Sequence, residues 1–214
     1  MNYRWRGATY TFLAQDEMSP TDFDNALAEI RNAYPSGMLQ IMFNMLSSHD
    51  AERLANRCKN NPLRIGQCVL FQMAYPGTPC IYYGDEIGLQ GDSDPLNRGA
   101  MVWDKSRWDV GLRNFHKKLI RLRKEADVLR HGDYQTILLH DDNSLFGFKR
   151  EYEEQAVLAL FNNSDSPQCA EISLDVIGEK PYSDWLDSGA DIEVSGGKLT
   201  VALPPRGLAL LGRK

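Results

Sequence analysis

The side chains best suited to chemistry are an adjacent histidine and carboxylate, His49 and Asp50. They follow a short apolar run, residues 39–43, which predicts a buried parallel strand because helix-breaking residues precede it. Sites in α/β folds usually lie at the carboxyl ends of such strands. A histidine beside a carboxylate can donate to and accept from two neighbouring hydroxyl groups, as on a sugar ring. The spacing alone favours a plainer role, in which Asp50 or Ser48 caps the next helix and His49 lies at the surface.

Helices and short strands alternate around this pair. Ser19 and Pro20 are typical of a helix start, and apolar residues at helical spacing extend this helix to residue 34. Similar signals predict helices over residues 62–73 and, after the cap Asp109, over residues 110–122. Residues 80–83 form a second apolar strand in this pattern. The loop that follows is too long for a mere connection, which indicates a functional role or packing beside a site.

After residue 126 the pattern changes to short strands separated by turn residues. Phe146 and Phe148 alternate with a glycine and a lysine, which is typical of a half-buried antiparallel strand. We therefore predict two domains, with β/α units in residues 1–126 and an antiparallel β-sandwich in residues 127–214.

Composition excludes several classes of protein. The chain has 214 residues, with 24 Lys and Arg against 29 Asp and Glu, so the net charge of −5 argues against nucleic acid or an anionic membrane as a partner. It has neither an apolar run of roughly 18 residues nor a signal-peptide pattern, which predicts a cytoplasmic protein. The four cysteines form no CxxC pair, so we expect buried reduced thiols and no metal site.

Four motifs in order carry a resemblance to a known family. Residues 47–53, SSHDAER, resemble the fourth conserved region of glycoside hydrolase family 13, the α-amylase family, at the end of its seventh barrel strand. Residues 77–88 resemble the eighth strand and its turn, and residues 94–104 resemble the loop after it. The opening residues 1–3 are similar to the end of the sixth strand in neopullulanases, cyclomaltodextrinases and maltogenic amylases. The resemblance implies an α/β plus all-β fold, the C-terminal part of a (β/α)8 TIM barrel followed by an antiparallel β-sandwich domain.

The resemblance also implies roles for individual residues. Asp50 corresponds to the third catalytic carboxylate of the family, which stabilises the oxocarbenium-like transition state by binding ring hydroxyls. His49 corresponds to the histidine that binds the same sugar, and Asp94 and Arg98 to a pair that contacts glucose units further along the donor side. Asn97 and Gly99 replace the residues more usual in the family around this arginine, and Arg98 fits a solvated loop charge equally well.

Two further carboxylates are required for a retaining glycosidase, a nucleophile and an acid/base roughly 5 Å apart. In the family these follow the fourth and fifth strands, before the segments that this chain matches. Asp85 and Glu86 do not replace them, because neighbouring residues of a strand point to opposite sides, so we interpret this pair as structural. We therefore expect the chain to be inactive alone in cleaving α-1,4-glucosidic bonds of maltooligosaccharides, cyclodextrins or pullulan. A split enzyme, an expressed fragment and a truncated reading frame stay open.

The same resemblance implies the partners. One partner is an α-glucan oligosaccharide. The other is the missing N-terminal barrel portion, either covalently joined or as a separate chain. Self-association of two copies across an unpaired sheet edge is the alternative to that second partner. The chemistry requires no cofactor, and the calcium ligands of the family lie mostly in other segments, so no metal is expected. The alternative is a non-catalytic carbohydrate-binding or structural module, in which aromatic residues of the sandwich stack on sugars: Tyr152, Tyr182 and Trp185. A degenerate family member with a scaffolding role also stays open.

Overall fold

A computed structural model of the chain describes residues 1–35 and 37–213, so Lys214, the last residue of the predicted sandwich, lies outside the described residues. The first part is mostly helical around one short parallel sheet. Its helices are α1 (Tyr3–Thr9, continued by a π-helical turn, Tyr10–Ala14), α2 (Pro20–Asn32), α3 (Met38–Ile41), α4 (Leu54–Arg57), α5 (Pro62–Ala74), α6 (Val110–Glu125) and α7 (Asp127–His131). Its strands are β1 (Phe43–Met45) and β2 (Thr78–Cys80), and the long loop before α6 holds three 3-10 turns, Asp85–Ile87, Leu96–Arg98 and Lys105–Arg107.

The second part is built from eight strands and one helical turn. They are β3 (Asp133–His140), β4 (Leu145–Tyr152), β5 (Gln155–Asn162), β6 (Gln168–Ser173), α8 (Leu174–Ile177), β7 (Ser183–Asp184), β8 (Ile192–Ser195), β9 (Lys198–Leu203) and β10 (Leu208–Arg213). A five-stranded sheet has the order β3-β4-β5-β10-β7 and a three-stranded sheet the order β6-β9-β8, with antiparallel pairing throughout. This arrangement confirms the antiparallel fold expected from the sequence.

The predicted helices form where their caps lie. The Ser19 hydroxyl accepts the Asp22 amide at 3.1 Å, Pro20 begins α2, and Phe23, Leu27 and Ile30 face the core. The Asn61 side chain caps α5 in the same way, and the Asp109 carboxylate accepts the Leu112 amide at 2.8 Å at the start of α6. Local capping and periodicity are therefore sufficient to fix these three helices.

The predicted strand over residues 39–43 is wrong. Backbone bonds within one turn make Met38–Ile41 helical, and the strand is Phe43–Met45, which pairs in parallel with Thr78–Cys80. The second strand is likewise shifted from residues 80–83. The reason is register, because strand pairing begins only at Phe43, whose carbonyl also accepts the Asn2 amide at 2.8 Å. Ile41 and Phe43 remain 65% and 50% exposed, so this sheet has an open apolar side.

The central strands of the five-stranded sheet, β4, β5 and β10, are buried on both faces, which corrects the half-buried pattern expected for β4. Leu145, Leu158 and Leu160 face the three-stranded sheet, where they join its buried side chains Ile172 and Val201 in one cluster. The close approach explains a glycine in the middle of β4: a Cβ on Gly147 would lie 2.7 Å from the Leu160 Cδ2 atom.

The other face of this sheet packs on the helices of the first part. The rings of Phe146 and Phe161 lie 6.4 and 6.0 Å from that of Phe71 on α5, and the Phe12 and Phe23 rings stack 4.5 Å apart beside them. One apolar core therefore runs from α1 to the sheet. The boundary between residues 1–126 and 127–214 stays a prediction.

The cysteines are free, and two of the four expected burial states are wrong. Cys58 and Cys68 are buried, whereas Cys80 and Cys169 are exposed. Cys80 ends β2 in the open two-stranded sheet, and Cys169 lies on a strand whose burial alternates. Among the described residues, none of the helices combines the length and hydropathy that a bilayer crossing requires.

Candidate active site

His49 and Asp50 lie in the loop that leaves the carboxyl end of β1, as the sequence predicts. The His49 Nε2 and Asp50 Oδ2 atoms are 3.2 Å apart, and the two side chains are 60% and 54% exposed. The capping role expected for Asp50 or Ser48 is wrong. Helix α4 begins at Leu54, and the Leu54 amide donates to the Ser47 hydroxyl at 2.7 Å. Both functional groups are therefore accessible to a ligand.

The long loop after β2 brings Asp94 and Arg98 to the same place. The Arg98 Nη2 atom lies 3.2 Å from Asp94 Oδ2 and 3.8 Å from Asp50 Oδ1, and its Nε–H donates to the His49 carbonyl at 2.9 Å. Arg98 therefore has three partners within 4 Å, while half of its side chain stays exposed to solvent. All four candidate residues of the sequence lie in one half-exposed cluster.

Side chains of α1 and of its π-helical continuation hold the loop that carries His49. The Leu46 carbonyl accepts the Arg6 Nε–H at 2.8 Å and the Tyr10 hydroxyl. The Arg6 guanidinium also lies over the Tyr10 ring, 4.9 Å from its centroid. Sequence reasoning misses both residues, because they lie about 40 positions before the loop and no local pattern marks the contact.

A buried contact between Arg53 and Asp85 joins this loop to the turn after β2. The Arg53 Nη1 and Asp85 Oδ1 atoms are 3.6 Å apart with both side chains almost fully buried, and Arg53 also donates to the Tyr83 carbonyl at 2.6 Å. Burial raises the pKa of Asp85 to about 7 and outweighs the Ser47 hydroxyl and Arg53, which both lower this pKa. These contacts fit the structural role expected for Asp85.

Asp85 makes stability fall as the pH rises towards neutrality. Its carboxyl keeps a proton in the folded protein up to about pH 7 but loses it above about pH 4 when unfolded, so folding binds a proton in this window. We expect the unfolding free energy of wild type to fall by roughly 1 kcal/mol per pH unit, relative to Asp85→Asn, between pH 5 and 7. Urea denaturation at both pH values measures the difference. Asp92→Asn is the control, because Asp92 is an exposed carboxylate of the same loop. An identical pH slope in Asp85→Asn and wild type contradicts the prediction.

The cluster offers a sugar both kinds of hydrogen-bonding group. The Asp50 and Asp94 carboxylates accept, and the His49 ring and the Arg98 guanidinium donate, which suits hydroxyls that do both. No group of three or more His, Cys, Asp or Glu side chains that could hold a metal ion occurs in residues 1–35 and 37–213.

The three aromatic residues that suggested a carbohydrate-binding module pack against neighbouring groups and are only partly exposed to solvent. The Tyr182 hydroxyl donates to the Ile177 carbonyl at 2.7 Å. The Trp185 ring lies against Gly212, where a Cβ would be 1.7 Å from the ring. Tyr152 is half-buried beside the His131 ring, 5.5 Å between centroids. Each of the three side chains is half-buried against a neighbouring group, so the exposure expected for them is wrong.

Comparisons with known proteins cover the whole chain. The family model "Alpha amylase, catalytic domain" matches residues 1–109, just over half of the chain, and "Maltogenic Amylase, C-terminal domain" matches residues 136–210. Neopullulanase 2 of Thermoactinomyces vulgaris is 36% identical over 96% of this chain, and the intracellular maltogenic amylase of Bacillus subtilis strain 168 is 37% identical over 78%.

A solved cyclomaltodextrinase structure superposes with a TM-score of 0.91 and 28% identity over 99% of this chain. The chain spans only 35% of Neopullulanase 2, 29% of the maltogenic amylase and 36% of the cyclomaltodextrinase. The fold, the motifs and these similarities agree with the resemblance found in the sequence. The chain therefore belongs to the α-amylase family and corresponds to a C-terminal third of its neopullulanase-like members.

Proposed function

We propose that the chain is the C-terminal part of a retaining α-glucan hydrolase that cleaves α-1,4-glucosidic bonds in maltooligosaccharides, cyclodextrins or pullulan. The main support for this proposal is the cluster at the end of β1, where Arg98 lies within 4 Å of both Asp50 and Asp94. Asp50 is the transition-state stabiliser, and His49, Asp94 and Arg98 bind the glucan. The relatives' names support this class of substrate.

Asp50 stabilises the sugar by its charge and hydrogen bonds and forms no covalent bond to it. A carboxylate that accepts from two ring hydroxyls favours the flattened ring, because those bonds strengthen as the anomeric carbon becomes positive. The neighbouring His49 ring donates to the same sugar. Arg98, shared between Asp50 and Asp94, keeps the two carboxylates of the cluster in one arrangement before substrate arrives.

The nucleophile and the acid/base belong to the N-terminal barrel portion, which we propose as the partner of residues 1–126. The open side of the β1–β2 sheet supports this. A cavity of about 430 Å³ is lined there by Met38, Ile41 and Phe43 among others, and Ile41 is 65% exposed. A patch of exposed apolar side chains beside an unpaired strand suits added strands and helices. We propose that residues 127–214 form the C-terminal β domain. We also propose that the protein is cytoplasmic.

We expect no hydrolysis by the 214 residues alone, because Asp50 stabilises the transition state but neither forms the glycosyl-enzyme bond nor protonates the departing glycosidic oxygen. Maltoheptaose incubated with the purified chain is analysed by chromatography. An unchanged maltoheptaose peak is the expected result, with the intact intracellular maltogenic amylase of Bacillus subtilis as the positive control. Release of glucose or maltose by the chain contradicts the proposal.

A further inference from the structure

One buried side chain holds two carbonyls of the backbone around Asp50, one just before this residue and one just after the next peptide. The Asn97 amide nitrogen donates to the His49 carbonyl at 2.9 Å and to the Ala51 carbonyl at 3.2 Å, and Asn97 is 1% exposed. We propose that Asn97 is a positioning residue, which fixes the backbone of Asp50 so that its carboxylate points into the sugar site. The inference rests on the proposed function of that site.

These bonds leave Asp50 little backbone freedom. The His49 carbonyl belongs to the peptide before Asp50, and it accepts from both Asn97 and the Arg98 Nε–H. The next peptide is held because its N–H, that of Ala51, donates to the Ser48 carbonyl at 3.2 Å. The Ala51 carbonyl belongs to the third peptide and accepts from Asn97. Three successive peptide planes are anchored, so the Cα–Cβ direction of Asp50 is set without contact to its carboxylate.

The position of Asn97 is itself supported by a close backbone contact. Gly91 lies against the 3-10 turn Leu96–Arg98, where a Cβ on Gly91 would be 2.4 Å from the Leu96 carbonyl oxygen. The Gly91 backbone also bonds to the other side of the loop: its carbonyl accepts the Arg53 amide at 3.0 Å, and its amide donates to Asn56 Oδ1 at 2.7 Å. A side chain on Gly91 would separate the two segments.

The buried Asn97 amide has one oxygen without a partner, which indicates why an asparagine stands at this position. Both atoms that face the Asn97 amide are carbonyl oxygens, so its nitrogen must point at them, and its Oδ1 atom is left buried with no partner in the described part of the chain. An unpaired buried acceptor lowers stability. A leucine would fill the same space without an unpaired Oδ1 atom but would remove the side-chain donor from the Ala51 carbonyl, so the asparagine serves the carbonyls of the site loop rather than the core.

The test uses the full chain with Asn97→Leu, and Asn97→Ala as a second variant if leucine prevents folding. Asn163→Leu is the matched control, because Asn163 is also buried and donates to a carbonyl, that of Phe12 at 2.6 Å, outside the cluster. Residue-resolved hydrogen exchange of the Ala51 amide and the carbonyl ¹³C shift of His49 report on the loop directly.

We expect Asn97→Leu to speed exchange of the Ala51 amide about tenfold and to shift the His49 carbonyl resonance, because two bonds that hold the loop are lost. Asn163→Leu changes neither. Where wild type binds maltoheptaose, the Asn97 variants bind about tenfold more weakly. An Ala51 exchange rate and a His49 shift equal to wild type overturn the inference. Loop changes without glucan binding by wild type support the positioning role and contradict the proposed function instead.

Discussion

Arg150→Met lowers the free energy of unfolding by about 3 kcal/mol or more, a large part of the 5–15 kcal/mol that stabilises a typical domain. Arg150 is fully buried on β4. Its guanidinium donates to the Gly132 carbonyl at 2.9 and 2.7 Å, to Ala74 at 2.8 Å and to Leu129 at 3.0 Å. Methionine fills much of the volume but leaves three carbonyls without this donor.

The charge matters as well as the hydrogen bonds. Burial lowers the pKa of Arg150 to about 9, so the guanidinium stays protonated at neutral pH. Ala74 ends α5, where the helix dipole favours a cation, and Arg123 donates to the Met73 carbonyl beside it at 2.6 Å. One side chain therefore joins the end of α5 to the sheet.

Urea denaturation at pH 7 measures the loss. Arg4→Met is the control, because the Arg4–Glu29 ion pair at 3.5 Å is exposed and contributes less than about 1 kcal/mol. Equal unfolding free energies for Arg150→Met and wild type contradict the role given to Arg150.

Asp50→Asn abolishes most activity once the barrel is complete. The system is a chimera in which residues 1–214 replace the matching part of Neopullulanase 2, which is 36% identical over 205 residues. Bonds of the kind proposed for this carboxylate contribute several kcal/mol to transition-state stabilisation, so we expect kcat/KM for maltoheptaose to fall about 10³-fold. Steady-state assays with reducing-sugar detection measure the change.

The control in this chimera is Asp94→Asn, which removes one contact further along the glucan and lowers kcat/KM about tenfold. Both carboxylates are half-exposed and pair with Arg98, so the two substitutions cost similar stability. Equal effects of the two changes would contradict a special role for Asp50. An inactive wild-type chimera with a native-like melting curve would contradict the proposed function.

The sequence predicts what is decided locally. Helix α2 and helix α5 begin at the expected residues because their caps and prolines act within one turn. Residues 39–43 look like a strand, but the register with Thr78–Cys80 begins only at Phe43. Pairing with a distant segment decides that boundary, so composition cannot locate it.

The same division holds for the site. The pair His49 and Asp50 is visible in the sequence, and the resemblance adds Asp94 and Arg98. The contribution of Asn97 is not visible, because its bonds reach 48 and 46 residues back and depend on the path of the loop. Arg150 is hidden for a similar reason: it lies on the same face of β4 as Phe146 and Phe148, and its acceptors at the end of α5 and in α7 are distant in sequence.

We propose that His49 and Asp50 line a glucan site at the end of β1. A crystal structure of the 214-residue chain soaked in maltoheptaose would show the bound sugar, since the glucan is expected to stay intact. We expect a glucose ring with its hydroxyls within hydrogen-bond distance, about 2.5–3.2 Å, of the His49 ring nitrogen and the Asp50 carboxylate. A glucan ordered only elsewhere on the chain, with His49 and Asp50 untouched, would contradict it.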